Sequence, residues 1–366
     1  MLKLEALDTL FFRDGKPFNK EGDNWVHCLF PPAPSVFYGA LRSIYFAENI
    51  DQFCRANKED DPTKNLKING IFIESGESIY FPFPLDLVKG KGNDKVFPLM
   101  LKKREFVSNC PTEFVLQGPE CEEVETAEGG LLDGLSFKRY LLGDNQDFLF
   151  RSISDFVTSE PTIGIQIDPS KGIAKDSLLY RVGMIRPEVR YDSGRKNLRK
   201  LKTRKVRILV DYEGLLIPSR GIMKVGGESR AMLYEHCETE DIGGLNMDYS
   251  GMGGDKFKVY LATPAKFKKG WLPDWIDEET LIGKFNGISL KLLTAAIGKC
   301  VPIGGFDMKR KKPKPMLRAV PAGSVYYFKI LDGCNLGEAM SCFHYSNISD
   351  FDAKQGFGLA FAGRAP

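Results

Sequence analysis

The sequence predicts a β-rich α+β fold. A strand, a helix and two further strands follow one another near the start, which is the first part of a ferredoxin-like unit. The chain also contains 37 glycines and 21 prolines, which favours many turns and strands over a helical protein. At about 150 residues per domain, its 366 residues predict two to three domains, and two related α+β halves fit the element order.

The first predicted element is a half-buried strand at 2–8, where apolar and polar residues largely alternate. Asp14-Gly15 then predicts a turn. A helix is expected to begin near Ser35, because Pro34 cannot continue a preceding helix and Ser35 can cap a new one that runs over 36–49.

The later elements alternate between clear and ambiguous patterns. Residues 67–75 and 78–83 are predicted to form a hairpin, whereas 86–200 shows little periodicity and predicts insertions with a helix near 135–142. Strands are expected at 206–212, 257–262 and 324–330, and the segment 288–297 fits either a strand or a helix.

Charge is unevenly spread along the chain. The net charge is +3, yet eight of the thirteen residues from Arg195 to Arg207 are Lys or Arg and none is acidic. A second basic cluster lies at 309–318, and an acidic segment lies at 120–128. Because concentrated cations neutralise phosphates and release counterions, the two basic clusters favour a nucleic-acid partner over solvated loops without one.

Several function classes are disfavoured. No apolar run approaches the 18 residues of a membrane span, and no basic region followed by an apolar one opens the chain, so a cytoplasmic protein without a membrane partner is expected. The eight cysteines include no C-x-x-C pair, and the sequence holds three histidines. We therefore expect reduced thiols, no metal site and no cofactor.

The histidines form no catalytic pattern. His27, His236 and His344 lie far apart, without an HxxxH pair, a G-x-S-x-G elbow or a Walker loop. Metal-independent ribonucleases can use one histidine with a lysine or tyrosine, so His27 keeps a nuclease open as an alternative. The residues favour a binding protein over an enzyme.

The start of the first helix is the better candidate for binding, because its free backbone N–H groups can bind phosphate oxygens. Tyr38 and Arg42 lie four residues apart on one face, which suits stacking on a base and a phosphate contact. A core Tyr38 and a solvated Arg42 would explain the same spacing. Residues 224–230 fit either a phosphate-binding loop or a plain turn.

Five segments of the sequence are informative when they are considered together. They are DTLFFRDGKPF (8–18), PPAPSVFYGALR (31–42), VGGESR (225–230), VPAGSVYYF (320–328) and the glycine-rich GFGLAFAG (356–363). Together they resemble the third subunit of the Cmr complex, the type III-B CRISPR effector, which belongs to the RAMP superfamily of RNA-binding proteins. The first and fourth segments are specific, the glycine-rich one is weak alone, and the set spans the chain.

The resemblance implies two ferredoxin-like (RRM-like) RAMP domains with long insertions, which we assign to 1–200 and 201–366, the second with the glycine-rich loop. It also implies a non-catalytic subunit that holds the 5′ handle of the CRISPR RNA. Its expected protein partners are the large cyclase/polymerase-like subunit and the backbone RAMP subunits. The alternatives are an endoribonuclease that matures CRISPR RNA, with His27 as general base, and a purely protein-docking subunit.

The resemblance also assigns RNA contacts to individual residues. They are Arg13 and Lys16 after the first strand, Ser35, Tyr38 and Arg42 on the first helix, Gly164, Arg181 and Arg186 on an expected hairpin excursion at 161–186, Lys224, Gly226, Gly227 and Arg230 beside the neighbouring cleft, and Gly356 and Gly358 in the glycine-rich loop. The basic run at 195–207 and the acidic run at 120–128 match no motif of the family.

Overall fold

Two antiparallel sheets, one of nine strands and one of six, contain 15 of the 27 strands in the described part of the chain. The computed structural model describes residues 1–13, 25–26, 28–93, 95–120, 122–127, 129–144, 148, 150–167, 170–192, 201–238, 246–307 and 310–366. Helices pack against both sheets, so the predicted α+β class is confirmed.

The elements before residue 240 are β1 (Leu2–Ala6), β2 (Trp25–Val26), α1 (Pro34–Glu48), β3 (Lys67–Ser75), β4 (Ser78–Pro82), β5 (Leu87–Gly90), β6 (Val96–Pro98), β7 (Met100–Lys103), β8 (Phe114–Gln117), β9 (Val124–Glu125), β10 (Gly130–Asp133), α2 (Gly134–Leu142), β11 (Phe150–Ser152), β12 (Thr158–Ile167), β13 (Ala174–Arg186), β14 (Glu188–Asp192), β15 (Leu201–Glu213), β16 (Arg220–Lys224) and β17 (Ala231–His236).

The later elements are β18 (Lys256–Leu261), β19 (Ile282–Phe285), β20 (Ile288–Ala296), β21 (Val301–Ile303), β22 (Phe306–Asp307), β23 (Lys312–Pro313), β24 (Leu317–Ala319), β25 (Val325–Ile330), α3 (Leu336–Phe343), β26 (Ser346–Asn347) and β27 (Leu359–Arg364). Short 3-10 helices lie at Ile50–Arg55, Ile153–Asp155 and Ala353–Gln355.

The first sheet has the order β11-β10-β4-β3-β15-β1-β17-β16, and β14 pairs with β15 outside this path. Leu4 of β1 lies opposite Ile208 of β15 and Tyr234 of β17. Because β1 and β3 both run antiparallel to β15, they are parallel to each other, and α1 connects them. Apolar residues of these strands and of α1, such as Leu4 and Phe37, form one buried core.

The second sheet has the order β19-β20-β25-β18-β27-β26. Val259 of β18 lies opposite Tyr326 of β25 and Ala362 of β27. α3 connects β25 to the last strands and buries Met340 and Phe343 in the core of this sheet. The chain passes from the first sheet to the second between β17 and β18.

Most of the predicted elements are confirmed. The strand at 2–8, the hairpin of β3 and β4, the helix near 135–142 and the three later strands are present, and the ambiguous 288–297 is mainly the strand β20. The predicted start of α1 near Ser35 is confirmed to within one residue, but the predicted capping role of Ser35 is wrong. Pro34 is the first helical residue and Ala33 the N-cap, without a side-chain hydrogen bond, so Ser35 caps nothing and lies inside the first turn.

The domain division predicted at residue 200 lies just before three strands of the first sheet. β15 pairs with β1 and β3, β17 pairs with β1, and β16 pairs with β17. Because β15, β16 and β17 all belong to the first sheet, the pairing favours a boundary after β17 over one at residue 200. The division into two domains stays a prediction.

A buried polar cluster joins α2 and the segment after β4 to the second sheet. Asp86, which is 2% exposed, accepts hydrogen bonds from Tyr140 Oη (2.8 Å) and Tyr327 Oη (2.6 Å). Lys258 Nζ lies 3.5 Å from Asp86 Oδ2 and 3.4 Å from the centre of the Tyr140 ring. Burial lowers the pKa of Lys258, although Asp86 opposes this effect. Asp86 precedes β5 and Tyr140 belongs to α2, whereas Lys258 and Tyr327 belong to the second sheet.

Candidate nucleic-acid interface

The expected excursion at 161–186 is a long hairpin of β12 and β13. Its register begins with Thr158 opposite Arg186, and a bulge follows Ile165. At its base, Leu10 N donates to Ile185 O (2.7 Å) and Ile185 N donates to Leu10 O (3.0 Å). The hairpin is therefore attached to the segment that follows β1.

Two arginines and two carboxylates hold the base of the hairpin. Arg186 donates to both carboxylate oxygens of Glu160, at 2.7 and 2.9 Å, and to Asp8 Oδ1 at 3.0 Å. Arg230 Nη1 donates to Asp8 Oδ2 at 3.0 Å. The backbone N–H of Thr9, followed by the Arg186 guanidinium, lowers the pKa of Asp8. Both expected RNA-contacting arginines thus join three segments of the protein.

The loop 226–230 packs on the segment after β1. Gly227 N donates to Phe11 O at 2.8 Å, and Gly226 has a φ of 77°. Any side chain at Gly226 would collide with Phe11 O. The two glycines therefore permit a close approach of this loop to the protein's own backbone, and Lys224 is exposed at the end of β16 just before them.

Arg13 lies near the hairpin base on the same segment. It is exposed and forms an isolated antiparallel bridge with Cys28, beside a hydrogen bond from Phe12 N to Cys28 Sγ (3.2 Å). Lys16, His27 and the predicted turn at Asp14-Gly15 lie outside the described residues.

Tyr38 and Arg42 have intramolecular partners. Tyr38 is 8% exposed and belongs to the core under α1. The Arg42 guanidinium donates to Thr63 Oγ1 (2.7 Å), Asn57 Oδ1 (3.0 Å) and Asp61 Oδ2 (2.7 Å). The RNA contacts expected of both residues stay predictions, and the geometry favours the structural alternative.

The glycine-rich loop lies against the start of α1, where Ser35 is half-buried. A side chain at Gly356, whose φ is 94°, would approach Ile68 and Pro34 to 2.8 and 3.2 Å. Gly358, with a φ of 72°, lies as closely against Ser349. The close approach that these glycines permit is to other parts of the protein.

A family comparison covers nearly the whole chain. The family described as CRISPR-associated protein (Cas_Cmr3) matches residues 2–365. The chain belongs to the Cas_Cmr3 family. The resemblance inferred from the five sequence segments is thereby confirmed at the level of the family.

Solved structures similar to this Cas_Cmr3 family member include "Cryo-EM structure of the Type III-B Cmr-beta bound to cognate target RNA and AMPPnP, state 1", with 18% identity, 89% of this chain and 85% of that chain covered, and a TM-score of 0.48. A chain of "Cryo-EM structure of the Type III-B Cmr-beta bound to cognate target RNA" gives the same identity and TM-score, with 89% and 86% covered. A chain of "Crystal structure of Csm3-Csm4 subcomplex in the type III-A CRISPR-Cas interference complex" has 12% identity, 90% and 93% coverage and a TM-score of 0.31. A comparison with curated proteins found no match.

The structure gathers part of the predicted site around the hairpin base, namely Arg13, Arg186, Gly226, Gly227 and Arg230, while Arg181 and Gly164 lie farther along the hairpin. Gly356 lies against Pro34 at the start of α1, next to Ser35 in the chain, whereas Gly358 lies against Ser349. The carboxylates Asp8 and Glu160 were missed, because an acidic residue carries no signal for an RNA site.

Within the described ranges, no helix is both long and apolar enough to cross a membrane. The same ranges hold no group of three or more His, Cys, Asp or Glu side chains suited to a metal ion.

Proposed function

We propose that this Cas_Cmr3 family member is a non-catalytic RNA-binding subunit of a type III-B CRISPR effector complex. It holds the 5′ handle of the CRISPR RNA and docks on the large cyclase/polymerase-like subunit, and backbone RAMP subunits continue along the guide. The observation that carries this proposal is the family match over residues 2–365. The hairpin of β12 and β13 supports it as the element that contacts the handle.

The outer part of the hairpin carries side chains suited to single-stranded RNA. Arg181 of β13 is exposed and lies opposite Ile163 of β12, which is 60% exposed. Directly opposite residues share one face of a hairpin, so a cation and an apolar side chain are presented together. A guanidinium can hold a phosphate while the apolar side chain packs against an unstacked base. Arg186 and Arg230 act in this proposal as positioning residues.

We also infer that each half is a ferredoxin-like domain. The strand orders β17-β1-β15-β3 and β27-β18-β25-β20 support this. In each order the second and fourth strands are parallel and flank the third strand, which is antiparallel to both, and the first strand pairs with the outer edge of the second. Each half has one helix at an expected crossover, α1 in the first and α3 in the second. The other crossover of the first half, between β15 and β17, contains the short strand β16. The other crossover of the second half, between β18 and β20, contains the irregular segment 264–281.

The test is fluorescence anisotropy of a labelled RNA with the repeat-derived 5′ handle, against a scrambled RNA, over a salt series. We expect handle-selective binding and intact RNA on a denaturing gel. Arg181→Ala should weaken handle binding by about 1 to 3 kcal/mol, the range of a charge-assisted contact. Arg151→Ala, an exposed arginine on β11, is the matched control and should leave the affinity unchanged.

The same experiment separates the alternatives. Cleavage without added metal that His27→Ala abolishes would replace the proposal by an endoribonuclease. Assembly with the large subunit and no RNA contact by this chain would leave a purely protein-docking subunit. An equal affinity for handle and scrambled RNA would contradict handle recognition.

A further inference from the structure

An arm of paired strands extends from the second sheet between β20 and β25. At its base β21 pairs with β24, with Ile303 opposite Leu317. Farther out β22 pairs with β23, with Phe306 opposite Pro313. We call the described residues 301–307 and 310–319 the basic arm.

The basic arm concentrates exposed cations. Its sequence, residues 301–319, contains six Lys or Arg and a single acidic residue, Asp307. The described cations are all exposed, and they are Arg310, Lys311, Lys312, Lys314 and Arg318. Asp307 lies 3.9 Å from Arg310, so one carboxylate faces a much larger positive charge. This surface is suited to a polyanion.

Exposed apolar side chains accompany these cations. Phe306 is 53% exposed and Met316 is 49% exposed. Gly304 and Gly305 have no side chains, which leaves room for side chains of the opposite strand. A Cβ at Gly305 would lie 3.5 Å from Lys314 Cδ, and a Cβ at Gly304 would lie 3.3 Å from Met316 Sδ. The Lys314 stem thus crosses the glycine backbone, and Lys314 as a whole is exposed. An exposed ring among cations is a combination that binds single-stranded nucleic acid.

The base of the arm is fixed to the core, which gives these side chains a defined position. Ile303 and Ala319 pack with the fully buried Phe357, which lies between Gly356 and Gly358, and with Ala33, the N-cap of α1. Lys266 Nζ lies 3.8 Å from the centre of the Phe357 ring. Burial chiefly lowers the pKa of Lys266, and the nearby Lys314 adds to this effect. The arm therefore stands beside the start of α1.

We propose that the basic arm is a second RNA-binding surface, distinct from the hairpin of β12 and β13. Its lysines and arginines contact successive phosphates of one strand, and Phe306 stacks on an unpaired base. Phosphate contacts and stacking are shared by all four bases, so this surface binds RNA without sequence preference. Its ligand is a single-stranded segment of the guide RNA or of the target RNA.

The test uses the full chain with labelled oligouridine, which lacks a handle sequence. Lys312→Gln/Lys314→Gln/Arg318→Gln should weaken binding at least about tenfold and reduce the slope of log K against log salt by about 2, since each lost contact removes roughly 0.7. The matched control is Lys58→Gln/Lys64→Gln/Lys284→Gln, which removes three exposed lysines outside the arm. Phe306→Ala should weaken binding with an unchanged salt slope.

Unchanged oligouridine affinity in the triple arm variant, an equal loss in the control, or no binding by the wild-type chain would overturn the proposal. Circular dichroism melting establishes that each variant is folded. The handle-selectivity ratio is measured in parallel and reports on the hairpin alone, so a failure of handle recognition is distinguished from a failure of the arm. Comparing the affinity of the chain for a guide strand, a free target strand and their duplex identifies which RNA the arm binds.

Discussion

The guanidinium of Arg42 reaches three acceptors within residues 57–63, and its partner Asp61 is 8% exposed. Removing one partner of a largely buried ion pair leaves the other charge without compensation. We expect Arg42→Ala to lower the free energy of unfolding by about 2 to 4 kcal/mol, measured by urea denaturation.

Arg55→Ala is the control at the same scale. Arg55 pairs with Asp60, but their side chains are 45% and 58% exposed, so solvent screens the pair and the loss should stay below about 1 kcal/mol. Equal losses for the two variants would contradict the structural role of Arg42. A folded Arg42→Ala chain with reduced handle affinity would instead support the RNA contact that the sequence predicts.

Asp61 makes the same segment sensitive to pH. Burial alone would raise its pKa, but hydrogen bonds from Thr63 and Asn57 and the charge of Arg42 lower the pKa below the usual 3.8. The carboxylate therefore contributes stability above about pH 4, and this contribution is lost as the pH falls through its lower folded value. In urea titrations from pH 6 to 3, the stability difference between wild type and Asp61→Asn should shrink below about pH 4; a constant difference would refute this.

The helical spacing of Tyr38 and Arg42 predicts that they share a face, and the Arg42 guanidinium lies 6.0 Å from the centre of the Tyr38 ring. The sequence does not reveal that Asp61 turns back towards α1. The path of the chain that brings Asp61 to α1 depends on a turn in which Asn57 has a φ of 60°, and on the packing of the following strands. Side-chain spacing therefore predicted the face of the helix but not the partner.

At the scale of elements, the hairpin of β12 and β13 depends on Arg186 at its base. We expect Arg186→Ala to speed amide hydrogen exchange across 158–186 by about tenfold or more. Without the hydrogen bonds from Arg186 to Glu160 and Asp8, local opening of the hairpin costs less free energy. Arg181→Ala, five residues away and exposed, should leave exchange unchanged. Equal exchange in both variants would show that the Leu10 and Ile185 backbone bonds suffice.

Elements were predictable where one face is buried. β1, β3 and β4 alternate between buried and more exposed residues, which gives the period of two that the sequence displays. β7 and β8 pair with each other and bury little, so their residues carry no comparable pattern. The division at residue 200 was assigned from the family resemblance, which does not report that β15 pairs with β1.

At the scale of the whole molecule, the buried cluster around Asp86 links α2 and the segment after β4 to the second sheet. Asp86→Ala leaves the Lys258 ammonium buried without its carboxylate, and we expect a loss of about 3 to 5 kcal/mol. Tyr327→Phe removes one hydrogen bond from the same carboxylate and should cost about 1 to 2 kcal/mol. Urea unfolding followed by tryptophan fluorescence measures both, and similar losses would contradict a buried ion pair.

This cluster joins residues 86, 140, 258 and 327, which no local pattern connects. In the sequence, Lys258 and Tyr327 fit alternating strands, and Asp86 follows a run of prolines and aromatics. Their contact arises because α2 packs between the sheets, against β4 and β27. Sequence reasoning therefore reached the two sheets and the family, but not how the sheets are joined.

The packing of α2 also has a consequence for protein synthesis. Phe137 of α2 contacts Phe361 of β27, and a side chain at Gly363 would approach the Leu141 backbone to 3.1 Å. β27 follows the other described strands in the chain, so the side of α2 that faces β27 waits for its partner until that strand has left the ribosome, while β4 covers another side earlier. A nascent chain stalled before residue 359 therefore leaves the side of α2 that faces β27 exposed to chaperones and proteases.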